Sequence, residues 1–305
     1  MARLDTVDLR LLRVFSTVVE ARGFSAAQTM LNVNTSTISN QISALETRLG
    51  VKLCQRGRAG FKLTEDGATI FSEAQRLFSA IDGFDMRASA LRAKVRGTLN
   101  IGILDNTISD PQAKLDLLFR QFTAAMGDVQ LNIEVKSPNE LLRDLQDGKL
   151  HAVIGSFPKL LLGLTYVRLY EEQHFFYCAA RHPLFSLNAR QITQDLLAGH
   201  RFVTRGYWGA RDTKHLRTDR ARASVNNMEA AARLILSGDY LGYLPEHYAR
   251  PWVQDKVLKA LLPQDLTYQA PFEVVFDPAK QSLPSLKMFL EITQAIFGAG
   301  PSQAA

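Results

Sequence analysis

The sequence predicts an N-terminal winged helix-turn-helix, then a long linker helix, then a C-terminal α/β domain of two β/α lobes. Three observations carry this prediction. Two short helical segments precede a third helix that opens with polar residues, all within the first 50 residues. Apolar residues then recur four and three positions apart over residues 70–95, and strands alternate with helices from residue 98 onward. A chain of 305 residues is also too long for one ordinary core.

Composition and charge favour a globular protein with a basic head. Hydrophobic residues make up 46% and charged residues 22%, and no apolar run or leader predicts a membrane span or a signal peptide. The two cysteines, Cys54 and Cys178, form no CxxC, so we expect a reducing cytoplasm and no disulfide framework. Residues 1–97 hold 14 Lys and Arg against 9 Asp and Glu, whereas the rest holds 22 against 21. This asymmetry is typical of a head that binds nucleic acid.

Residues 8–50 read as three short helices with a tight turn between the second and the third. The first helix has one apolar face and ends at Gly23, and Ser25 is expected to cap a second helix over residues 26–31. Asn34 is expected to cap the third helix, which runs to Leu49 and is closed by Gly50. Its apolar stripe comprises Ile38, Ile42, Leu45 and Leu49. This arrangement is a helix-turn-helix.

The first two turns of the third helix carry more short polar side chains than capping requires. Hydroxyl and amide groups at a helix N-terminus approach phosphates and base edges closely, so we interpret this face as a DNA-reading surface. The simpler alternative, that these residues only cap the helix, accounts for one of them. The candidate DNA contacts from the helices are Ser25, Asn34, Thr35, Ser36, Thr37, Ser39, Asn40 and Ser43.

A two-stranded wing is predicted next. Val51 and Leu53 read as a first strand and Phe61 and Leu63 as a second, with a basic, glycine-rich tip between them. Arg56, Arg58 and Lys62 on this wing are candidates for phosphate or minor-groove contacts. Any one of them alone is equally well a solvated loop charge.

The stretch FSAAQTMLNVNTSTISNQISALETRLGVKLCQRGRAGFKLTEDG resembles the DNA-binding domain of LysR-type transcriptional regulators. The resemblance implies sequence-specific binding to a pseudo-palindromic promoter site on double-stranded DNA, a homodimer that assembles further into a tetramer, and contact with RNA polymerase. Three positions depart from the common pattern: Ser36 replaces a Pro, Asn40 an Arg and Cys54 a Phe. The loss of Arg at position 40 changes the DNA preference expected of the helix.

A linker helix is predicted from Thr64, its N-cap, to about residue 94. Its apolar residues keep heptad spacing for more than three heptads, which favours a dimerising helix. The alternative is a single amphipathic helix that lies on its own domain. The candidate dimerisation residues are Ile70, Leu77, Ile81, Phe84 and Leu91.

The predicted domain bounds are 1–66 for the winged helix-turn-helix, 67–96 for the linker and 97–305 for the body. Lobe I covers about 97–162 and 267–305, and lobe II about 163–266. Residues 98–155 read as β-α-β-α-β, with a helix from Pro111, and "LTYVRLY" and "HFFYCAA" read as two further strands. The body resembles a periplasmic-binding-protein-like effector domain, which implies a small-molecule effector between the lobes.

Polar residues at strand exits and helix starts are the candidate effector contacts. Helix capping is the stronger interpretation for Ser137 and Asn226 taken singly. Asp105 and Arg205 carry opposite charges, so they either recognise a polar or zwitterionic ligand or pair with each other across the lobes. The candidates are Asp105, Asn106, Thr107, Ser137, Ser156, Thr204, Arg205, Trp208 and Asn226.

Enzymatic function is not expected. The chain has no GxGxxG after a strand, no P-loop, no GxSxG and no HExxH. Its six histidines show no ligand spacing and read as turn or surface residues, so no metal and no cofactor is predicted. Cys178 alone does not make a thiol switch. The competing hypothesis is a solute-binding or catalytic β/α protein with an incidental N-terminal extension, whose activity survives deletion of residues 1–66.

Overall fold

The structure is a computed structural model that describes residues 5–57, 60–90, 95–158, 160–208, 212 and 221–298. It divides into two compact units. One contains residues 5–85 with 147–149, and the other contains residues 86–146 and 150–298. The boundary between the two units, at residues 85 and 86, falls within the predicted linker of residues 67–96. It coincides with neither end of the linker, so the predicted domain bounds stay a prediction.

The first unit is a three-helix head with a two-stranded antiparallel wing. Its elements are α1 (Thr6–Glu20), α2 (Phe24–Leu31), α3 (Thr35–Leu49), β1 (Cys54–Gly57), β2 (Gly60–Leu63) and the first part of α4 (Glu65–Ala90). Ile38, Ile42 and Leu45 of α3 are completely buried, together with Phe15 and Val18 of α1. The predicted apolar stripe of α3 therefore lies in the core of the head, as amphipathic spacing requires.

Two local boundaries in the head differ from the prediction. The α2 helix begins at Phe24, so Ser25 lies inside it and caps nothing; Gly23 occupies the N-cap position. Arg22, with φ 57°, takes the left-handed conformation after α1. The first wing strand begins at Cys54, after Val51 and Leu53, because Leu53 is turned into the core with no exposed surface. Burial of Leu53 takes precedence over the short alternating pattern.

Helix α4 begins as predicted, with the Thr64 hydroxyl accepting a hydrogen bond from the Gly67 N–H at 2.8 Å. Ala74 is buried in the head core, and Ile70 and Leu77 pack partly against it. The first half of the heptad seam therefore serves the core of its own unit. Further along, Phe84 is 68% exposed. Leu91 lies outside the described residues.

The second unit contains a seven-stranded mixed sheet and a separate parallel pair of strands. Its remaining strands are β3 (Gly97–Ile103), β4 (Val129–Val135), β5 (Ala152–Gly155), β6 (Thr165–Ala179), β7 (Phe202–Arg205), β8 (Ala221–Val225), β9 (Gly242–Pro245), β10 (Leu258–Ala260) and β11 (Thr267–Phe276). The large sheet has the order β10-β6-β11-β5-β3-β4, with β9 also paired to β6, while β7 and β8 pair in parallel. Parallel β3, β4 and β5 with their helices confirm the predicted β-α-β-α-β order.

Two long strands connect the lobes. Antiparallel β6 and β11 pair from Thr165↔Phe276 to Phe175↔Thr267. The prediction of two separate strands over residues 164–180 is wrong, because β6 is continuous. It pairs with β11 over its first part, and its last residues pair with β9 and β10. One extended strand thus belongs to both lobes.

Helices cover both lobes. They are α5 (Leu115–Ala125), α6 (Pro138–Gln146), α7 (Gln194–Ala198), α8 (Met228–Leu236), α9 (Glu246–Gln254) and α10 (Pro284–Phe297). Helix α5 starts at Leu115, not at Pro111, because Lys114 has φ 44° and is left-handed. The short elements β8, β10 and α9 were not predicted. Pro251 within α9 is a helix-breaking signal that the fold overrides.

Each lobe has its own core. Lobe I packs α5, α6 and α10 around the parallel strands, with Leu118, Phe122 and Phe289 fully buried. Lobe II has two clusters, one around Phe176 and Phe202 and another around Tyr177 and Ile235. Among the described residues, no helix has the length and apolar character needed to cross a membrane.

Candidate functional site

Three polar residues hold the start of α3 in place. The Asn34 side-chain oxygen accepts hydrogen bonds from the Thr37 N–H and the Ser36 hydroxyl, each at 2.8 Å. The Thr35 hydroxyl donates to the Gln28 side-chain oxygen at 2.8 Å. Asn34 is the predicted cap, and Thr35 ties α3 to α2. These contacts fix the angle between the two helices of the helix-turn-helix.

A polar face of α3 is open to solvent. Ser36, Asn40 and Ser43 are exposed and lie four and three residues apart, so they share one side of the helix. Thr37 and Ser39 are half-buried beside them, and Ser25 is exposed on α2. The exposed face lies opposite the buried apolar stripe. A partner as large as a DNA duplex can therefore reach this face.

The wing places one described cation beside this head. Lys62 on β2 is exposed and pairs in register with Gln55 on β1. Arg56 lies in β1 opposite Phe61, but its side chain, like the whole of Arg58, lies outside the described residues.

Arg48 is held by two carboxylates at the start of α1. Its guanidinium donates to Asp5 at 2.8 Å and to both carboxylate oxygens of Asp8. Hydrogen bonds to Asp8, chiefly from the Arg48 guanidinium and then from the Asp5 backbone N–H, lower the pKa of Asp8 to about 2. Lys52 likewise pairs with Glu46 at 2.7 Å, and Glu46 accepts from the Leu53 N–H at 2.9 Å. Both cations thus have intramolecular partners, which single-sequence charge counting does not reveal.

A cavity of about 620 Å³ lies between the two lobes of the body. Lobe I lines it with Asp105, Asn106, Ile108, Ser109, Val135, Lys136, Ser137 and Glu140, and lobe II with Asn226, Asn227, Glu229 and Tyr248. Four predicted effector contacts, Asp105, Asn106, Ser137 and Asn226, thus share one cavity. It contains three carboxylates and one ammonium, and that ammonium, on Lys136, is paired with Asp144 at 2.7 Å.

Asp105 links the lobes. Its carboxylate accepts a hydrogen bond at 2.6 Å from the Met228 N–H, at the start of α8. Burial of the carboxylate outweighs this bond and raises the pKa of Asp105. The neighbouring Asn227 accepts from the Ala230 N–H at 2.8 Å and caps α8. Two of the orphan donors at this helix start, the Met228 and Ala230 N–H groups, therefore have side-chain partners from the chain itself.

Arg205 does not face the cavity. It is buried in lobe II, where its backbone N–H and Nε donate to one Asp212 oxygen at 2.9 and 3.0 Å. Its guanidinium also donates to the Tyr268 hydroxyl and stacks 4.9 Å from the Trp208 ring centroid. Arg205 is paired with Asp212 and not with Asp105, and its predicted contact with the effector stays a prediction. Asp212, seven residues away, neutralises it first.

Three other predicted effector contacts also lie away from the cavity lining, and the fourth, Thr107, lies next to it. Trp208 is buried, at 6% exposure, and packs with Tyr207 and Ala270. Ser156 is buried, and the half-buried Thr204 donates to the Ala223 carbonyl at 3.3 Å. Thr107 lies in a short 3-10 turn beside the cavity residues Asn106 and Ile108.

Several histidines are core residues, contrary to prediction. His151, His174, His182 and His247 are at most 7% exposed. His151 accepts a hydrogen bond from the Asn100 N–H at 2.9 Å, and burial lowers its pKa to about 4. His215 lies outside the described residues. No periodic pattern marks the buried positions, because they lie on strands, turns and a helix start with different spacings.

A winged helix-turn-helix joined to a two-lobe ligand-binding domain defines a ligand-responsive DNA-binding regulator. Comparison with known families agrees. Residues 9–68 match the family described as bacterial regulatory helix-turn-helix protein, lysR family, and residues 92–297 match the LysR substrate binding domain. The chain therefore belongs to the LysR family of bacterial transcriptional regulators.

Individual relatives cover nearly the whole chain. The HTH-type transcriptional activator BauR of Pseudomonas aeruginosa is 36% identical over 293 residues, which is 95% of this chain and 96% of BauR. Among solved structures, the LysR family transcriptional regulator CbnR matches with a TM-score of 0.64 and 22% identity, over 95% of this chain and 99% of CbnR. Full-length CbnR complexed with its target DNA matches with a TM-score of 0.63 and 22% identity, over 94% and 99%. These solved structures support the fold.

Proposed function

We propose that this protein regulates transcription by reading promoter DNA with α3 and its wing, under the control of a small polar effector bound between its lobes. The observation that carries the proposal is the exposed face of Ser36, Asn40 and Ser43 on a helix whose opposite side is fully buried. Titration of full-length protein with its own promoter DNA and with scrambled DNA tests it.

Asn40 and Ser43 are the strongest candidates for base contacts. Asn pairs with adenine through its amide, and Ser serves base or backbone acceptors. Ser36, Thr35 and Asn34 act chiefly by holding the helix start, since each already has a partner in the head. Thr37 and Ser39 flank the face, and Ser25 lies on α2, where it is placed for the DNA backbone. Lys62, Arg56 and Arg58 supply the wing's phosphate contacts.

The working form is a homo-oligomer built on α4. Phe84 is 68% exposed at the predicted seam, and an exposed aromatic side chain of this size on a heptad position favours pairing with a second copy. Ile81, the seam position that precedes Phe84, is half-buried. A dimer places two heads on the two half-sites of a pseudo-palindrome, and pairing of dimers gives a tetramer. We place the protein in the cytoplasm, with RNA polymerase as its further partner, and we assign it no catalytic activity.

The cavity favours an effector that carries a basic group. Asp105, Glu140 and Glu229 line it. Glu229 pairs with Arg233 at 3.5 Å and Lys136 with Asp144 at 2.7 Å, which leaves Asp105 and Glu140 as the excess negative charge. A cationic group on the effector compensates the excess negative charge, and the amides of Asn106, Asn226 and Asn227 are placed to orient its polar remainder. Binding changes the contact between Asp105 and the start of α8, and with it the relative position of the lobes.

A thermal-shift series on full-length protein tests the effector class. The probes are small amines, amino acids and carboxylic acids of equal chain length. Stabilisation by the amine-bearing probes, lost in Asp105→Asn and kept in Asp116→Asn, is the expected result, because Asp116 is an exposed acid on α5 outside the cavity. Stabilisation by the carboxylic acids alone contradicts the proposed effector class.

A further inference from the structure

A buried group of metal-ligating side chains lies where the two lobes meet. Asp110 follows β3 in lobe I, Glu172 lies on the connecting strand β6, and His247 lies on α9 in lobe II. All three are buried, at 5–7% exposure. His247 Nε2 lies 3.0 Å from Glu172 Oε1 and 3.7 Å from Asp110 Oδ2, and the three ligand atoms lie within 4.8 Å of one another.

The other polar atom of each ligand is already held by a neighbour. Asp110 Oδ1 accepts from the Gln112 N–H at 2.9 Å, and His247 Nδ1 is hydrogen-bonded to the Ser109 hydroxyl at 2.8 Å. Glu172 Oε2 is hydrogen-bonded to His174 Nε2 at 2.6 Å. The remaining atoms are Asp110 Oδ2, Glu172 Oε1 and His247 Nε2, which converge on one point. The last two are hydrogen-bonded to each other at 3.0 Å, and a bound ion would replace that hydrogen bond. Outer contacts of this kind orient the ligands of metal sites.

Among the described residues, the two buried carboxylates have imidazoles as their charged partners. Asp110 Oδ2 is buried and accepts no hydrogen bond of normal geometry from the described residues, although the buried Tyr170 hydroxyl lies near Asp110. No lysine or arginine in the described part of the chain forms an ion pair with Asp110 or Glu172. Burying two carboxylates in this way costs free energy unless a cation compensates them.

We propose that Asp110, Glu172 and His247 bind a divalent transition-metal ion of the Zn²⁺ class. Two carboxylates and one imidazole suit Zn²⁺, whose bonds to such ligands of about 2.1 Å separate neighbouring ligand atoms by roughly 3.4 Å in a tetrahedral site. The two separations from His247 Nε2, 3.0 and 3.7 Å, lie on either side of that value. One carboxylate and the imidazole come from different lobes, so the ion ties the lobes together beside the effector cavity, which Ser109 also lines.

The test uses full-length protein stripped with a chelator and dialysed into metal-free buffer. We expect Zn²⁺ to bind with one ion per chain by elemental analysis and to raise Tm, with Mg²⁺ giving no rise. Asp110→Asn and His247→Gln, which keep the size of each side chain, are expected to lose both effects. Unchanged DNA binding by these variants establishes that they are folded. No retained ion and no rise in Tm with the wild-type protein overturns the proposal.

A pair of histidines away from the proposed site provides the matched control. His182 and His200 lie with ring centroids 4.6 Å apart elsewhere in lobe II. His200→Gln is expected to keep the Zn²⁺ response, and its loss in this variant instead of in Asp110→Asn overturns the assignment. If the Asp110 and His247 variants do not fold, Co²⁺ bound to the wild type decides the matter. Visible absorption without a thiolate charge-transfer band, displaced by Zn²⁺, supports oxygen and nitrogen ligands, whereas a thiolate band contradicts them.

Discussion

Asp105 of lobe I accepts a 2.6 Å hydrogen bond from the backbone N–H of Met228 at the start of α8 in lobe II. The carboxylate occupies the position at a helix N-terminus that an anion prefers, and it lines the cavity between the lobes. A single side chain thus joins the two lobes at the place where the proposed effector binds. A ligand that competes for Asp105 is expected to change how the lobes meet.

The pH dependence of this contact follows from the raised pKa of Asp105. Its stabilising contribution is complete below the ordinary value of 3.8 and is lost as pH rises through the higher folded value. Asp105→Asn does not ionise and still offers an oxygen to Met228. We therefore expect the Tm of Asp105→Asn, relative to wild type, to increase between acidic and neutral pH. Thermal scans across that range measure it, and a decrease would mean that the charged hydrogen bond outweighs burial.

The Asp8–Arg48 pair is expected to stabilise the head at neutral pH. Because the pKa of Asp8 falls from 3.8 to about 2, its contribution is present above pH 3.8 and lost as pH falls through 2. Asp8→Asn should lower Tm at neutral pH, and the difference from wild type should disappear as pH falls through 2. Circular dichroism melts check this. Arg76→Gln, which removes an exposed ion pair with Glu73 on α4, serves as the control and should change Tm little. Equal effects of the two substitutions would contradict the special role of Asp8.

Lys62 and Arg48 are expected to differ in their effects on DNA binding. Lys62 is exposed on the wing, so Lys62→Ala should remove about one phosphate contact and reduce the slope of log affinity against log salt by roughly 0.9. Arg48→Gln should lower Tm and leave that slope unchanged, since Arg48 is bound to Asp5 and Asp8. Anisotropy titrations at several salt concentrations measure both. An unchanged slope for Lys62→Ala removes the wing lysine from the interface.

Phe84 is expected to hold the oligomer together. A glutamate at this seam position places charge in an apolar interface, so Phe84→Glu should shift the protein toward monomer by roughly tenfold or more in dissociation constant. Analytical ultracentrifugation measures this. Met30→Glu makes the same kind of change at a 63% exposed site on α2 and should leave the oligomer intact. Identical sedimentation of wild type and Phe84→Glu would exclude the α4 seam.

The head was largely predictable because its signals are local. Asn34, the stripe from Ile38 to Leu45 and Gly50 each mark a cap, a buried face or an end within one helix. Local spacing was not enough to predict what the linker helix packs against. Heptad spacing on α4 is equally compatible with packing on the core of its own unit, as Ala74 does, and with packing on a partner helix, for which the exposed Phe84 is available.

The body was predictable in its strand and helix order but not in its long-range pairings. Continuity of β6 depends on pairing with β11 about a hundred residues away, which no local pattern reveals. No local signal indicates that Asp212 pairs with Arg205. Likewise, no local signal distinguishes the buried histidines from surface ones. Asp110, Glu172 and His247 come from three separate elements, so only the folded chain brings them together.

Sequence-specific DNA binding through α3 can be measured in a single titration. Fluorescence anisotropy compares full-length protein on DNA from its own promoter region with scrambled DNA of equal length and composition, at fixed salt. We expect roughly 10³-fold tighter binding to the promoter DNA. Asn40→Ala should reduce that preference by about 1–3 kcal/mol, while Thr47→Ala, exposed two turns further along α3, should not. Equal affinity of the wild type for both DNAs would contradict the account.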